Sequence, residues 1–348
     1  MCEADALRSL GTIQSEAGER EQALASLDAA LDLARRHDER RLEAMILVDI
    51  GSFHRIGGRY GDARVVLEAA IAVFRLLGER EQMGSALAGL GNAVAALGQL
   101  DEAAAVLGAA ADSSRAAGDR RMAASATGHL ALVREEQGRL EEARELYAEA
   151  IQGARETGDG RLESHNLGNL ALTYAYDEPD VARTKLEAAH AIARESGDRR
   201  LEGIWAGNLG NLELNAWRLP EARALLERAI ATSRELGDRR FEGVWQTALA
   251  GVERRSGCLD AADRASGEAR RILREVGDRL QEGLCLCERG RLLLARGEDP
   301  DPVLAEVDAI LAQHGLSADS QLGRVARSLR RAIHAARAGI ALVWGDVR

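Results

Sequence analysis

Residues 197–211 read GDRRLEGIWAGNLGN, and this stretch decides the fold. Its opening Gly-Asp-Arg-Arg also occurs at residues 118–121 and 237–240. Glycine readily adopts the left-handed backbone conformation that closes a helix, and an aspartate directly after it can cap the next helix. Each copy of the motif therefore predicts the end of one helix, a short turn and the start of another.

Glycine recurs along the chain at a period of about 40 residues, which is typical of a repeat array. One series comprises Gly18, Gly58, Gly98, Gly138, Gly257 and Gly297, and a second comprises Gly78, Gly118, Gly158, Gly197, Gly237 and Gly277. The second series contains one short step, which we place at Asp177-Glu178-Pro179-Asp180, in the fifth repeat. We predict that the turn of this repeat is one residue shorter than the others.

Alanine forms two further series, seven residues apart, in the second half of each period. Positions seven residues apart lie on one face of a helix, where alanine lets a neighbouring helix approach closely. We therefore predict two helices, A and B, in each period, and we expect the pairs to stack because one pair alone cannot bury its apolar face. The first series is Ala23, Ala63, Ala103, Ala143, Ala182, Ala222 and Ala262, the second is Ala30, Ala70, Ala110, Ala150, Ala189, Ala229 and Ala269, and between them lie Leu27, Leu67, Leu107, Tyr147, Leu186 and Leu226.

Helix A carries a Leu-Gly pair, or a near equivalent, seven residues before the turn glycine. Clear examples are Leu10-Gly11, Leu90-Gly91 and Leu209-Gly210. With the alanines that follow, this pattern resembles the tetratricopeptide repeat (TPR) over residues 1–297, and the 40-residue period resembles the long-helix subtype of spindle-orientation adaptors and bacterial signalling ATPases and kinases. The resemblance implies an all-α, right-handed α-solenoid of seven repeats plus helix A of a degenerate eighth. We call the small position of helix A the slot; it holds Gly11, Gly51, Gly91, Ala131, Ala171, Gly210, Ala250 and Gly290.

Residues 298–348 depart from the pattern, because Pro300 and Pro302 interrupt helix B of the eighth repeat. A final helix is predicted at about 321–343. We expect it to cap the array, and contact with a membrane surface or an acidic partner is the alternative. The chain begins almost inside helix A, as a fragment of a longer protein or a shortened gene product would. The final helix carries apolar Leu322, Val325, Leu329, Ile333, Ala336 and Ile340 on one face and Arg324, Arg327, Arg330, Arg331 and Arg337 on the other.

Composition narrows the class of protein. The net charge is −10 and no run of five basic residues occurs, which disfavours nucleic acid as a partner. No apolar stretch is long enough to span a membrane and the N-terminus lacks signal-peptide features, so we expect a cytoplasmic protein. Lys185 is the only lysine among 46 basic residues, a bias typical of a GC-rich, bacterial coding sequence.

No catalytic or metal-binding motif occurs, so we predict neither an enzyme nor a cofactor. Glu135-Glu136 and Glu141-Glu142 are explained by an acidic helix surface. Cys285 and Cys287 would point away from each other on a helix, and His129 and His165 lie at different repeat positions without a third ligand, so no metal site is expected. An enzyme without a recognisable motif would have to show a turnover that is lost when the groove is mutated.

The resemblance implies that a ligand lies in a concave groove against helix A, at offsets −6, −3, +1, +4 and +5 from the slot, with a further polar column at −2. Asparagine amides donate and accept hydrogen bonds, so they can pair with an extended peptide backbone. The alternative is that they are solvated or bonded to a neighbouring turn. The candidate peptide-binding residues are Asn92, His165, Asn169, Tyr176, Asn208, Asn211, Asn215, Arg254 and Arg255, and Arg55 lies at the same offsets.

Two tryptophans, Trp205 and Trp245, recur 40 residues apart and are expected in the core between repeats, whereas Trp217 replaces a turn glycine. The two-carboxylate clamp of chaperone-adaptor TPRs needs Lys or Arg beside the groove asparagines. Here Ala88 and Gly207 occupy that column, so recognition of an acidic C-terminal tail of that kind is not expected.

These observations predict a non-catalytic scaffold that binds a protein or an extended peptide, with the interaction centred on repeats three to seven. The alternative is a ligand- or peptide-sensing regulatory module of a bacterial signalling ATPase, kinase or transcription regulator.

Overall fold

The structure is a computed structural model that describes residues 3–17, 19–317 and 320–338. Within these ranges it contains seventeen α-helices and no β-strand. The chain divides into two compact units, Met1–Tyr176 and Asp177–Arg348. The first unit contains α1 (Glu3–Glu16), α2 (Arg20–Arg36), α3 (Arg40–Ile56), α4 (Tyr60–Leu77), α5 (Arg80–Ala96), α6 (Leu100–Ala117), α7 (Arg120–Glu136), α8 (Leu140–Thr157) and α9 (Gly160–Leu172). The second contains α10 (Pro179–Glu195), α11 (Arg199–Asn215), α12 (Leu219–Glu235), α13 (Arg239–Arg255), α14 (Leu259–Glu275), α15 (Arg279–Arg296), α16 (Asp301–Gln313) and α17 (Gln321–Arg337).

Helices alternate as predicted, with odd-numbered helices up to α15 as helix A and even-numbered helices as helix B. Within each unit, helix A packs on its own helix B and on the helix A of the next repeat, as α3 does on α4 and α5. Each unit is therefore an all-α stack of helix hairpins, which confirms the solenoid fold class. The boundary between an array to residue 297 and a remainder from 298 stays a prediction.

The turn glycines have the conformation that the sequence predicts. Every described member of both series has a positive φ, between 66° and 79°, while Gly18 lies outside the described residues. In two turns another residue takes the left-handed conformation, Asp38 at φ 55° and Trp217 at φ 59°. The aspartates after the glycines cap helix A, as when Asp198 accepts a hydrogen bond of 2.9 Å from the backbone N–H of Leu201.

At the slot, helices A and B of one hairpin approach each other closely. A Cβ atom added to Gly91 would lie 2.5 Å from Cγ of Leu107, and one added to Gly51 would lie 2.6 Å from Cγ of Leu67. The alanines of both series are completely buried, at 0% exposure, in every repeat. Glycine in helix A thus makes room for leucine in helix B, and each buried leucine contributes about 1.5–3 kcal/mol to folding.

The fifth repeat is shortened in helix A as well as in its turn. Helix α9 ends at Leu172, one residue after its slot, whereas α3, α5, α7, α11 and α13 continue to the fifth residue after theirs. The backbone of Tyr174 and Ala175 makes i→i−3 hydrogen bonds, and Thr173 Oγ1 donates to the Leu170 carbonyl at 2.7 Å. This tighter turn ends the helix, and the two compact units divide directly after it.

The C-terminal helix α17 packs on α15 and α16 through most of the apolar face that the sequence predicts, whereas Ala336 of that face is exposed. Leu322 and Leu329 are fully buried against Gly283 and Gly290 of α15. Because the earlier leucine meets the earlier glycine, α17 runs in the same direction as α15, opposite to an ordinary helix B. The buried face is closed to a membrane surface, and the predicted extension to residue 343, including Ile340, lies outside the described residues. Within the described ranges, no helix has the length and apolar character that crossing a membrane requires.

We expect Ala103→Asp to lower the free energy of unfolding by at least about 3 kcal/mol, because it buries an unpaired charge between α5 and α6. Ala105→Asp is the matched control, since this alanine lies exposed in the same helix. Urea denaturation of both variants measures the effect. Equal stability of the two variants would show that the assignment of helix faces is wrong.

Candidate functional site

The candidate site is the A-helix face, which we define as the surface formed by helix A residues at offsets −6, −3, −2, +1, +4 and +5 from the slot. The two units are described separately. In the first unit, Asn92 lies on α5 and Asn169 on α9, with α7 between these helices. Both asparagines are half-buried, and neither amide makes a hydrogen bond with any described residue. Their donors and acceptors are available to a ligand.

Two histidines lie on the same face of the first unit, together with Arg55 on α3. His165 is half-buried on α9, and His129 lies at offset −2 of α7 with a buried Nδ1 atom that has no hydrogen-bond partner among the described residues. Burial lowers the pKa of His129 to about 4, and the charges of His165 and of Arg55 on α3 act in the same direction. His129 is therefore neutral at pH 7.

Tyr176 does not lie on helix A, although its offset predicts that position. Because α9 ends at Leu172, Tyr176 lies in the turn that follows, with 95% of its surface exposed. Its place as a ligand contact stays a prediction.

In the second unit, three candidate asparagines lie along α11, and they differ in their hydrogen bonds. Asn208 donates to the Ile204 carbonyl of its own helix at 3.0 Å, which is the alternative that the sequence left open. Asn211 is half-buried and Asn215 is exposed, and the amides of both make no hydrogen bond within the described chain. Of the three, Asn211 is therefore the half-buried asparagine whose amide makes no hydrogen bond with a described residue.

Arg254 on α13 is buried in an ion pair that sequence reasoning missed. Its Nε donates to Glu288 Oε1 on α15 at 2.6 Å, and Arg291 contacts the second oxygen of Glu288 at 3.2 Å. Glu288 occupies offset −2 of the next repeat, so the polar column at that offset places it on the candidate face but does not reveal its partner. The guanidinium of Arg254 is partly neutralised by this pair.

Arg255 connects α13 to the end of α11. Its Nη1 donates to the Leu214 carbonyl at 2.5 Å, and its guanidinium lies 5.0 Å from the centre of the exposed Trp217 ring. Burial lowers the pKa of Arg255, and neighbouring Arg254 adds to the effect. Arg255 on α13 and Asn211 on α11 thus lie on two neighbouring A helices.

Trp205 and Trp245 are core residues, as expected, with 2% of their surface exposed. A Cβ atom at Gly207 would lie 2.4 Å from the Trp245 ring. The glycine that replaces the basic residue of a carboxylate clamp is therefore needed to accommodate this tryptophan.

Glu135 departs from the expected acidic surface. Its side chain is half-buried and accepts a hydrogen bond of 3.0 Å from the hydroxyl of Tyr147, and burial raises its pKa. Glu141 is exposed, as expected, whereas Glu142 is half-buried. Among the described residues, no group of three His, Cys, Asp or Glu side chains is arranged to hold a metal ion.

Comparison with known proteins identifies the repeat. Models of the family described as "Tetratricopeptide repeat" match residues 122–195 and 205–236, which confirms the resemblance. A search of curated proteins gave no significant match.

Solved structures share the fold at low sequence identity. The apo form of RapI is 14% identical, with 79% of this chain and 100% of that chain covered and a TM-score of 0.63. The Rap conjugation gene regulator of plasmid pLS20, in complex with the Phr* peptide, is 15% identical, with 89% and 79% covered and a TM-score of 0.60. A signal transduction ATPase with a tetratricopeptide repeat sensor, from Pyrococcus horikoshii, is 13% identical, with 94% and 50% covered and a TM-score of 0.58. This chain thus spans half of that ATPase, and at such identities the likeness establishes the fold alone.

We expect His129 to make the first unit less stable as the pH falls. Its pKa of about 4 in the folded chain lies below the value of about 6.5 for an unfolded chain, so the unfolded chain binds more protons between these pH values. The contribution of neutral His129 to the free energy of unfolding is complete above about pH 6.5 and falls by on the order of 1–3 kcal/mol towards pH 4.

Denaturation of the wild type and His129→Gln at pH 7 and pH 4.5 measures this contribution. His129→Gln should lose less stability between the two pH values than the wild type. His37→Gln is the control, because this histidine is exposed. An identical pH dependence in the wild type and His129→Gln would contradict the prediction.

We expect Glu288→Ala to lower the free energy of unfolding by about 3 kcal/mol, because it leaves Arg254 buried without its carboxylate. The double variant Arg254→Met/Glu288→Leu should recover most of the loss, since it removes both charges. Glu298→Ala, at an exposed position, serves as the control in the same denaturation experiment. A Glu288→Ala variant as stable as this control would rule out a structural role for the pair.

Proposed function

Residues 122–195 and 205–236 are tetratricopeptide repeats, and from this premise we propose that the A-helix faces of this protein bind an extended peptide or an extended segment of a partner protein. The chain acts in this proposal by binding, as a non-catalytic scaffold or regulator.

The observation that carries the proposal is the set of unpaired, half-buried amides on the A-helix face. Asn92, Asn169 and Asn211 make no hydrogen bond within the described chain. A half-buried amide gains most from a ligand that both donates and accepts hydrogen bonds, and an extended peptide backbone does both. Asn208 offers its amide oxygen, because only its N–H group is used by its own helix.

The shared fold agrees with this function. The pLS20 regulator, which has a similar structure, was solved in complex with a peptide. That contact belongs to the pLS20 protein and supports the peptide class of ligand for this chain by analogy only.

A second candidate is the sensor module of a signalling ATPase, favoured by the similar structure of an ATPase that has a tetratricopeptide repeat sensor. This function uses the same face and adds an effector module supplied by another protein. A gene for an ATPase, kinase or transcription regulator next to the gene for this chain would favour it over the scaffold.

Panning a random dodecapeptide library against the whole chain tests the proposed function. We expect selected peptides to lose about tenfold or more in affinity with Asn92→Ala/Asn169→Ala when they bind the first unit, or with Asn208→Ala/Asn211→Ala when they bind the second, because two hydrogen bonds are removed. Fluorescence anisotropy measures the affinity.

The matched control is Gln152→Ala, on helix B of the first unit, where Gln152 is exposed and donates to Glu156. It should leave every affinity unchanged. Peptides that bind both double variants as tightly as the wild type would place binding elsewhere and refute the proposal, and so would a library from which nothing is enriched.

A further inference from the structure

Offset +4 of one helix A and offset −2 of the next helix A hold a different pair of residues in each unit. In the second unit, Arg254 at offset +4 meets Glu288 at offset −2 of the next repeat, at 2.6 Å. In the first unit, the matching positions hold Arg55 on α3 and Gly89 on α5. The arginine is kept, and the carboxylate is replaced by a glycine.

Among the described residues, Arg55 has no carboxylate partner. It is half-buried and makes no ion pair with any described residue. By contrast, Arg8 on α1 of the same unit pairs with Asp49, at offset −2 of α3, at 2.5 Å. In both of these pairs the carboxylate lies at offset −2, the position that Gly89 occupies in the repeat after Arg55.

The space beside Gly89 is open. A Cβ atom added there would meet only the Leu67 side chain, at an ordinary contact distance of 3.5 Å. The positive charge of Arg55 acts on His129, at offset −2 of the repeat after Gly89, whose buried Nδ1 has no partner among the described residues. A neutral imidazole can donate one hydrogen bond to an anion.

We propose that Arg55, Gly89 and His129 form a subsite for a single carboxylate group of a peptide ligand, which takes the role that Glu288 has for Arg254. The guanidinium donates a charge-assisted hydrogen bond to one carboxylate oxygen, and the imidazole of His129 donates to the other. This inference rests on the proposed function and adds that the ligand is acidic at this point. It uses other columns than the chaperone-adaptor clamp, whose column holds Ala88 here.

The experiment uses the whole chain with ¹³C-labelled histidine side chains, observed by NMR. The probes are N-acetylalanine, which carries a main-chain carboxylate, and N-acetylaspartic acid α-amide, which carries a side-chain carboxylate. We expect the His129 signal to shift with a dissociation constant in the range of roughly 1–100 mM, as for other very small ligands. The bound anion should also raise the pKa of His129, because it favours the protonated ring.

Three variants test the subsite. Arg55→Gln should abolish the shift, and Gly89→Glu should abolish it too, because the new carboxylate occupies the place of the probe. Gly89→Ala is the matched control and should respond as the wild type does, and circular dichroism verifies that each variant is folded. Thermal melting of Gly89→Glu at or above that of Gly89→Ala would agree with a new pair with Arg55.

A response to either probe that is lost in both Arg55→Gln and Gly89→Glu supports the subsite, and the more strongly bound probe identifies the source of the carboxylate. A shift that persists in Arg55→Gln, or no shift in the wild type up to about 100 mM, overturns it. These outcomes are independent of the library experiment, since peptides that depend on the asparagines could bind without a carboxylate subsite. Failure of the subsite would then leave the proposed function standing.

Discussion

The close approach of helices A and B at the slot is the constraint on which the rest of the structure depends. Glycine in helix A leaves room for a leucine of helix B, and the alanines seven residues apart admit the next helices. Because this contact recurs at almost constant spacing, residues with the same offset become neighbours in consecutive repeats of a unit. Residues at one offset therefore form a continuous surface along each unit, and the A-helix face is such a surface.

Many charged residues form ion pairs between consecutive repeats. The second arginine of the Gly-Asp-Arg-Arg motif contacts the capping aspartate of the next repeat, as Arg200 does with Asp238 at 3.0 Å and Arg240 with Asp278 at 2.7 Å. The buried Glu242 is paired with Arg234 at 2.7 Å and also with Arg239. Arg55, which is half-buried on the A-helix face, makes no such pair with a described residue. In the proposed subsite, the carboxylate of a ligand completes the pair.

The sequence predicted the features that recur. The alanine and leucine columns, the left-handed turn glycines and the buried Trp205 and Trp245 all follow from a repeated pattern that serves the same contact each time.

The sequence could not predict features that occur only once along the chain. The early end of α9, which moves Tyr176 into a turn, depends on the backbone of a single loop. The Arg254–Glu288 pair and the parallel course of α17 depend on which side chains meet across the packed helices. For the candidate site, the offsets place every candidate except Tyr176 on helix A. The contacts then distinguish Asn211, whose amide makes no hydrogen bond with a described residue, from Asn208, whose amide N–H donates to its own helix.

The central claim is that ligands bind to the A-helix face of the units. The most direct measurement is photo-crosslinking of a library-selected peptide that carries a diazirine group, followed by mass spectrometry of the whole chain. The account predicts crosslinks to α5 and α9 or to α11 and α13. Crosslinks confined to the B helices, α6, α8, α12 and α14, would contradict it.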